Sequence, residues 1–344
     1  MTMSLGGNIG LGLAVAKART LGRRVPLFVQ LMPTERCNLR CRYCYADFGY
    51  RVREDFPLDN ILRVIDGLSR LGTRFIMVAG GEPMMRRDIG TIVREITSRG
   101  IECSVNTNGL AVAERIGEIA SADMLSISLD GTRETHDYYR GEGSYEVAVA
   151  AARAARSRGL RVQFQFTMTR SLKENFQHVH KVAVELGCFI GLNFLRPQQH
   201  VDGQVDRQRE ASDEELREFL HWLIAAKPPR LPYPRHMLEY VLRWPYPYTV
   251  PYILRASELK GFHPIPCASG RFLIAIDNRG DIYPCTKLFY TKPLGNCLEG
   301  DIERAWRELE KVECQACLDP GCNYLNQLLQ LNPRALRGFI RLFR

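Results

Sequence analysis

The chain contains no apolar run approaching the roughly 18 residues that a bilayer-spanning helix needs. No basic residue precedes the apolar stretch LGGNIGLGLAVA at 5–16; the first, Lys17, follows it. That order, with four glycines in the stretch, argues against a secretory signal even though the Ala14–Ala16 triplet imitates a cleavage site. Nothing resembles a nucleic-acid recognition module, so the net charge of +9 is not read as DNA or RNA binding, and no nucleic-acid partner is expected. Acids are missing around Arg334, Arg337, Arg341 and Arg344, where arginines alternate with Leu336, Phe339, Ile340, Leu342 and Phe343. Together with Lys17, Arg19, Arg23 and Arg24, this pattern raises the expectation of peripheral contact with an anionic membrane.

Histidine is absent where a zinc site would want it. CNLRCRYC (37–44) places three cysteines within eight positions, yet the nearest histidine is His136 and no fourth cysteine follows within fifty residues. A structural zinc site closes with four ligands. Three thiolates alone suit a cluster whose remaining metal stays open to something else. The eleven cysteines are an odd number, and six of them crowd into two tight groups (Cys37, Cys41, Cys44; Cys314, Cys317, Cys322). That distribution predicts metal binding in a reducing cytoplasm, not a disulfide framework. Cys103, Cys188 and Cys297 read as core residues.

From residue 25 apolar strands alternate with amphipathic helices. Strands are expected at 25–32, 75–80, 101–106, 124–129, 162–168 and 189–195. Helices are expected at 58–71, around Ile89–Ile96, at 111–120, 144–159 and 171–186, several with a glycine stop. Strands this apolar, separated by helices, imply a parallel sheet in an α/β protein, either open or curled into a partial barrel. After Pro197 the alternation breaks. A capped helix at 212–226 and a proline- and tyrosine-rich stretch at 228–252 follow, read either as a linker or as the wall of a pocket.

CNLRCRYC after the first strand, AGGEP (79–83) after the second, VNTNG (105–109) after the third and SISLDG (126–131) at the fourth together resemble the radical S-adenosylmethionine (SAM) superfamily. The resemblance covers residues 25 to 197 and implies a partial (β/α)6 TIM-like barrel. It also implies a [4Fe–4S] cluster held by Cys37, Cys41 and Cys44, with SAM on the open iron. One-electron cleavage of SAM would yield a 5′-deoxyadenosyl radical that takes a hydrogen atom from a substrate. By the same resemblance Tyr43, Gly80, Gly81, Glu82, Asn106, Thr107, Ser126, Ser128 and Leu195 are the expected cofactor contacts. HDYYRG (136–141) is expected to shape a loop-to-helix junction.

Cys267, Gly280, Cys285 and Cys314-x2-Cys317-x4-Cys322, with LGNCLEGDIERAW between, resemble the cysteine-rich SPASM extension or its shortened twitch form. A zinc ribbon has similar spacing, but the intervening segment favours the cluster module. No cysteine follows Cys322, which implies one auxiliary [4Fe–4S] cluster assisting electron transfer. The five candidates are Cys267, Cys285, Cys314, Cys317 and Cys322.

The expected organisation is therefore a basic extension (1–24), the radical SAM core (25–200), and a connecting segment (201–260). A small α+β auxiliary-cluster domain (261–325) and a basic tail (326–344) complete it. A reduced flavodoxin or ferredoxin is the expected electron donor. The residues ahead of position 25 are too few for the leader-binding module of many peptide-modifying relatives. A small-molecule or lipid substrate is therefore favoured, with peptide maturation as the alternative, and a non-catalytic electron carrier as the reading from another class.

Overall fold

A computed structural model describes residues 5–50, 54–195, 198–199, 205–206, 211–289, 292–299, 301–309 and 314–336. The expected alternation is present: β1 (Phe28–Thr34), β2 (Phe75–Gly80), β3 (Glu102–Thr107), β4 (Met124–Ser128), β5 (Arg161–Met168) and β6 (Phe189–Phe194) pair in that order, all parallel. β1 starts three residues later than expected, after Pro26, which has no amide hydrogen for the ladder. Inner-face residues of all six strands (Phe28, Met77, Asn106, Ser126, Gln165 and Asn193) line one cavity. A flat sheet cannot bring them together; the sheet curls into an incomplete barrel.

The helices cover the outer face for reasons visible in the chain. α2 (Leu58–Leu71) buries Ile61, Val64, Ile65 and Leu68 and stops at Gly72, whose φ of 91° is left-handed. In α6 (Ser144–Ser157), Ala148, Ala151, Ala152 and Ala155 are buried, so the helix lies close on the strands. The helix expected over 111–120 is only a turn, Val112–Arg115, with Gly117 ending the favourable run. α7 (Leu172–Leu186) and α8 (Asp213–Ala226) form as expected, the latter with a Ser212–Glu215 capping box.

Two features were not foreseen. FLIAIDNRGDIY forms a hairpin, Leu273–Ile276 (β7) and Asp281–Tyr283 (β8), turned by Gly280. But β7 also pairs in parallel with β1, Phe28 opposite Leu273, so the C-terminal cysteine segment shares the barrel's sheet. Second, the apolar N-terminal residues form a helix, Leu5–Thr20, whose Leu11, Val15 and Ala18 are buried with Phe28, Phe75 and Met124, the first residues of β1, β2 and β4. The helix closes the base of the barrel. Phe339, Ile340, Leu342 and Phe343, which prompted the membrane expectation, lie outside the described residues, and no helix among the described residues is long and apolar enough to cross a membrane. The arginines at 337, 341 and 344 lie outside the described residues. Leu11→Ala with Val15→Ala should destabilise the protein by about 2–4 kcal/mol, through lost burial and residual cavity at the barrel base; denaturant midpoints measure it.

Candidate active site

Every site residue singled out from the sequence lies on the wall of one cavity of about 440 Å3 at the C-terminal ends of the strands, where parallel α/β folds build their sites. Cys37, Cys41 and Cys44 sit on the loop after β1, and the five C-terminal cysteines face the same space. Cys285 follows β8, Cys317 pairs with Tyr252 in a short antiparallel bridge, and Cys322 lies in the first turn of the helix Pro320–Leu329. Tyr233 and Tyr252, from the proline-rich stretch, also line it, which places that stretch in the pocket wall.

Burial pushes the Cys37 and Cys314 thiols up to about 12 and raises Cys41, Cys285, Cys317 and Cys322 as well. Thiols in this state need a cation to become thiolates. Among the described residues no three cysteine, histidine or acidic side chains converge on a single-ion site. Thiolate sulfur is the usual donor to iron–sulfur clusters, and both thiol groups open on one cavity, so the chemistry of the donors fits clusters in both groups.

The strand-end motifs also hold the strand ends and the cysteine loop together. Gly80 and Gly81 were expected to let a ligand approach the backbone. A Cβ at either would strike backbone oxygen, Thr34 O at 2.3 Å and Arg36 O at 2.2 Å. Glycine is needed here so that the end of β2 can lie against the cysteine loop. Glu82 is buried and accepts from the Met84 amide at 3.0 Å, the Thr107 hydroxyl at 2.8 Å and the Asn108 amide at 2.7 Å. It ties the ends of β2 and β3 together. Asn108, which the sequence reading passed over, donates to Asn38 Oδ1 at 2.8 Å and anchors the cysteine loop to β3. Ser126 accepts from Gln165 at 2.7 Å, and Ser128 and Leu195 line the cavity beside it.

Sequence reasoning also missed the charged centre of the site. Asp130, in SISLDG, is fully buried; it accepts from Arg140 Nε at 2.5 Å, from the Tyr43 hydroxyl and from the Thr167 amide at 3.2 Å. Arg140, the last residue of α5 (Arg133–Arg140), also donates to the Tyr43 hydroxyl and reaches Cys41 Sγ at 3.9 Å. Desolvation opposes charge on Asp130, but Arg140 and His136 outweigh it and hold the carboxyl below its usual range. The signal was present in the quoted motifs, as an acid and a base ten residues apart.

Neighbouring His136 is buried; its Nδ1 accepts the Asp130 amide at 3.2 Å, and its Nε2 has no partner. Burial lowers it from 6.5 to about 4. The folded protein thus keeps this ring neutral while the unfolded chain protonates it below 6.5. Stability should fall by roughly 3 kcal/mol as pH drops from 6.5 to about 4, and no further from this group below that. His136→Gln should flatten most of that slope in denaturation at stepped pH, leaving the smaller part from His178, also lowered by burial.

Residues 31–186 match the family model described as the radical SAM superfamily. Those residues form a radical SAM domain. The chain is 26% identical over 296 residues to the mycofactocin maturase MftC of Mycolicibacterium smegmatis, across 84% of this chain and 72% of that protein. It is 27% identical over 278 residues to pre-heme d1 synthase of Dinoroseobacter shibae, across 74% of this chain and 66% of that one. SuiB of Streptococcus suis bound to S-adenosylmethionine superposes with a TM-score of 0.63 at 17% identity, over 85% of this chain and 68% of that structure. That likeness establishes the partial α/β barrel as the fold. Enzymes of that superfamily are catalysts that use a [4Fe–4S] cluster and SAM.

Proposed function

We propose that the protein is a radical SAM enzyme in which Cys37, Cys41 and Cys44 hold the SAM-cleaving cluster. Cys267, Cys285, Cys314 and Cys317 supply the four ligands of one auxiliary cluster, with Cys322 the rival to Cys314 or Cys317. When bound, the pair would provide a 5′-deoxyadenosyl radical and a one-electron relay. The observation that carries this reading is the single cavity onto which both thiol groups open. Arg140 is the cation beside Cys41, and its guanidinium lies on the cavity wall, held there by Asp130 and the Tyr43 hydroxyl. Ser126 and Ser128 offer hydroxyls to its ribose. A carrier without catalysis would have no use for this wall of polar side chains.

For the substrate we read the lumen. Gln30, Asn106, Gln163, Gln165 and Asn193 line it, and the carbonyl oxygens of Asn106 and Gln163 are buried without a partner. A buried acceptor left unpaired costs about 1–3 kcal/mol, which a hydrogen-bond donor on a ligand would recover. The cations among the described lining residues, Arg140 and Lys287, are both ion-paired, to Asp130 and to Asp319. Such a wall suits a neutral, amide-bearing substrate better than a polycarboxylate. A peptide segment or small amide therefore replaces the lipid in our reading, and the MftC likeness supports the peptide. Reconstituted, dithionite-reduced protein should release 5′-deoxyadenosine from SAM. No release, with or without peptide extracts of the host, would overturn the enzyme reading.

A further inference from the structure

The loop that carries the three cysteines also carries Arg40 and Arg42, one on each side of Cys41, and both are exposed. Several other exposed arginines are engaged by carboxylates: Arg36 pairs with Asp55, Arg70 with Asp66 and Glu303, and Arg153 with Glu185. Arg40 and Arg42 have no such partner among the described residues. Each lies over a tyrosine ring instead, Arg40 Cζ 4.8 Å from the centroid of Tyr50 and Arg42 Cζ 4.2 Å from that of Tyr138. Those rings are 55% and 40% exposed, among the most exposed large side chains described. Arg170 adds a second guanidinium over Tyr138, at 4.3 Å.

Stacking holds the two guanidinium groups in place without neutralising them, so less ordering is needed when a partner arrives. Arginine and tyrosine together are also the residue types that dominate binding energy at protein interfaces. The position decides the partner. A cationic, aromatic surface on the loop of a redox cluster fits an anionic protein that must come close to that cluster. We infer that Arg40 and Arg42, with Tyr50 and Tyr138, form the docking surface for an acidic one-electron carrier protein. The carrier loses one electron and the cluster gains it; no bond forms and no proton moves. The inference rests on the reading that Cys37, Cys41 and Cys44 hold a reducible cluster.

Reduction of the reconstituted holoenzyme, followed by bleaching of its visible absorbance, tests it with reduced flavodoxin as the probe and dithionite as the control. At low salt R40E/R42E should lower the second-order rate with flavodoxin about tenfold or more. The gap should close near about 0.5 M salt, where charges a few ångströms apart are screened. Iron content and the extent of bleaching by dithionite should match the unsubstituted protein. Oxidised flavodoxin should also bind the cluster-free protein more weakly after R40Q/R42Q, which keeps the loop's polarity if charge reversal disturbs it. Equal flavodoxin rates at low salt, or equal binding, overturn the docking surface. Failure of dithionite to bleach either protein overturns the cluster reading beneath it.

Discussion

Cys41→Ala protein, reconstituted with iron and sulfide, is expected to release no 5′-deoxyadenosine and to retain about half the iron, that of one four-iron cluster out of two. The separation of the two thiol groups along the chain underlies the expectation. Cys37, Cys41 and Cys44 share one short loop, whereas the auxiliary thiols come from residues 267 to 322. Cys41 is the most informative of the three because Arg140 sits beside it at 3.9 Å, so its loss also leaves that cation without a sulfur to face. Two remaining thiols cannot hold a cluster and keep one iron open for SAM. If cleavage survived, the loop would not be the SAM-cleaving centre. If all iron were lost together, the two groups would not load independently.

Asp130→Ala is expected to destabilise the fold by about 3–5 kcal/mol, because it strands the Arg140 charge in a buried site. The side chains of the pair are 0% and 9% exposed, so water screens little of the effect. Asp130 also gathers Tyr43 and the Thr167 amide, so the substitution releases the cysteine loop and the end of β5 together. Replacing both partners, Asp130→Leu with Arg140→Met, should restore much of the stability measured by urea denaturation, since no lone charge remains. It should not restore SAM cleavage. A double variant that is as unstable as Asp130→Ala would show that the ion pair is not what the single substitution damages; one that cleaves SAM normally would remove Arg140 from the site.

The barrel was legible because its signals are local. The face of α2 from Ile61 to Leu68 and its glycine stop mark the helix without reference to anything distant. The cysteine spacing and the four strand-end motifs announce the cavity in the same way. What stayed hidden depends on residues far apart in the chain. The pairing of Phe28 with Leu273 joins segments that no local pattern connects. The use of Leu11 and Val15 at the barrel base is invisible until the strands they cover are placed. Glu82 was expected at the cofactor from its motif alone; that it also joins the ends of β2 and β3, through the Met84 and Asn108 amides and the Thr107 hydroxyl, depends on residues brought together by the fold. The stacking of Arg40 and Arg42 on Tyr50 and Tyr138, with no ion pair among the described residues, likewise appears only in the folded chain.

The parallel contact between β1 and β7 sets a schedule for synthesis. β1 leaves the ribosome early, and one of its edges finds β2 soon after. Its other edge waits for residues 273–276. Until then the nascent barrel presents an apolar, unpaired strand next to a cysteine loop, the kind of edge that recruits other chains. Chains that terminate before residue 273 should therefore accumulate as insoluble material even though every residue of the barrel and its first cysteine loop has been made.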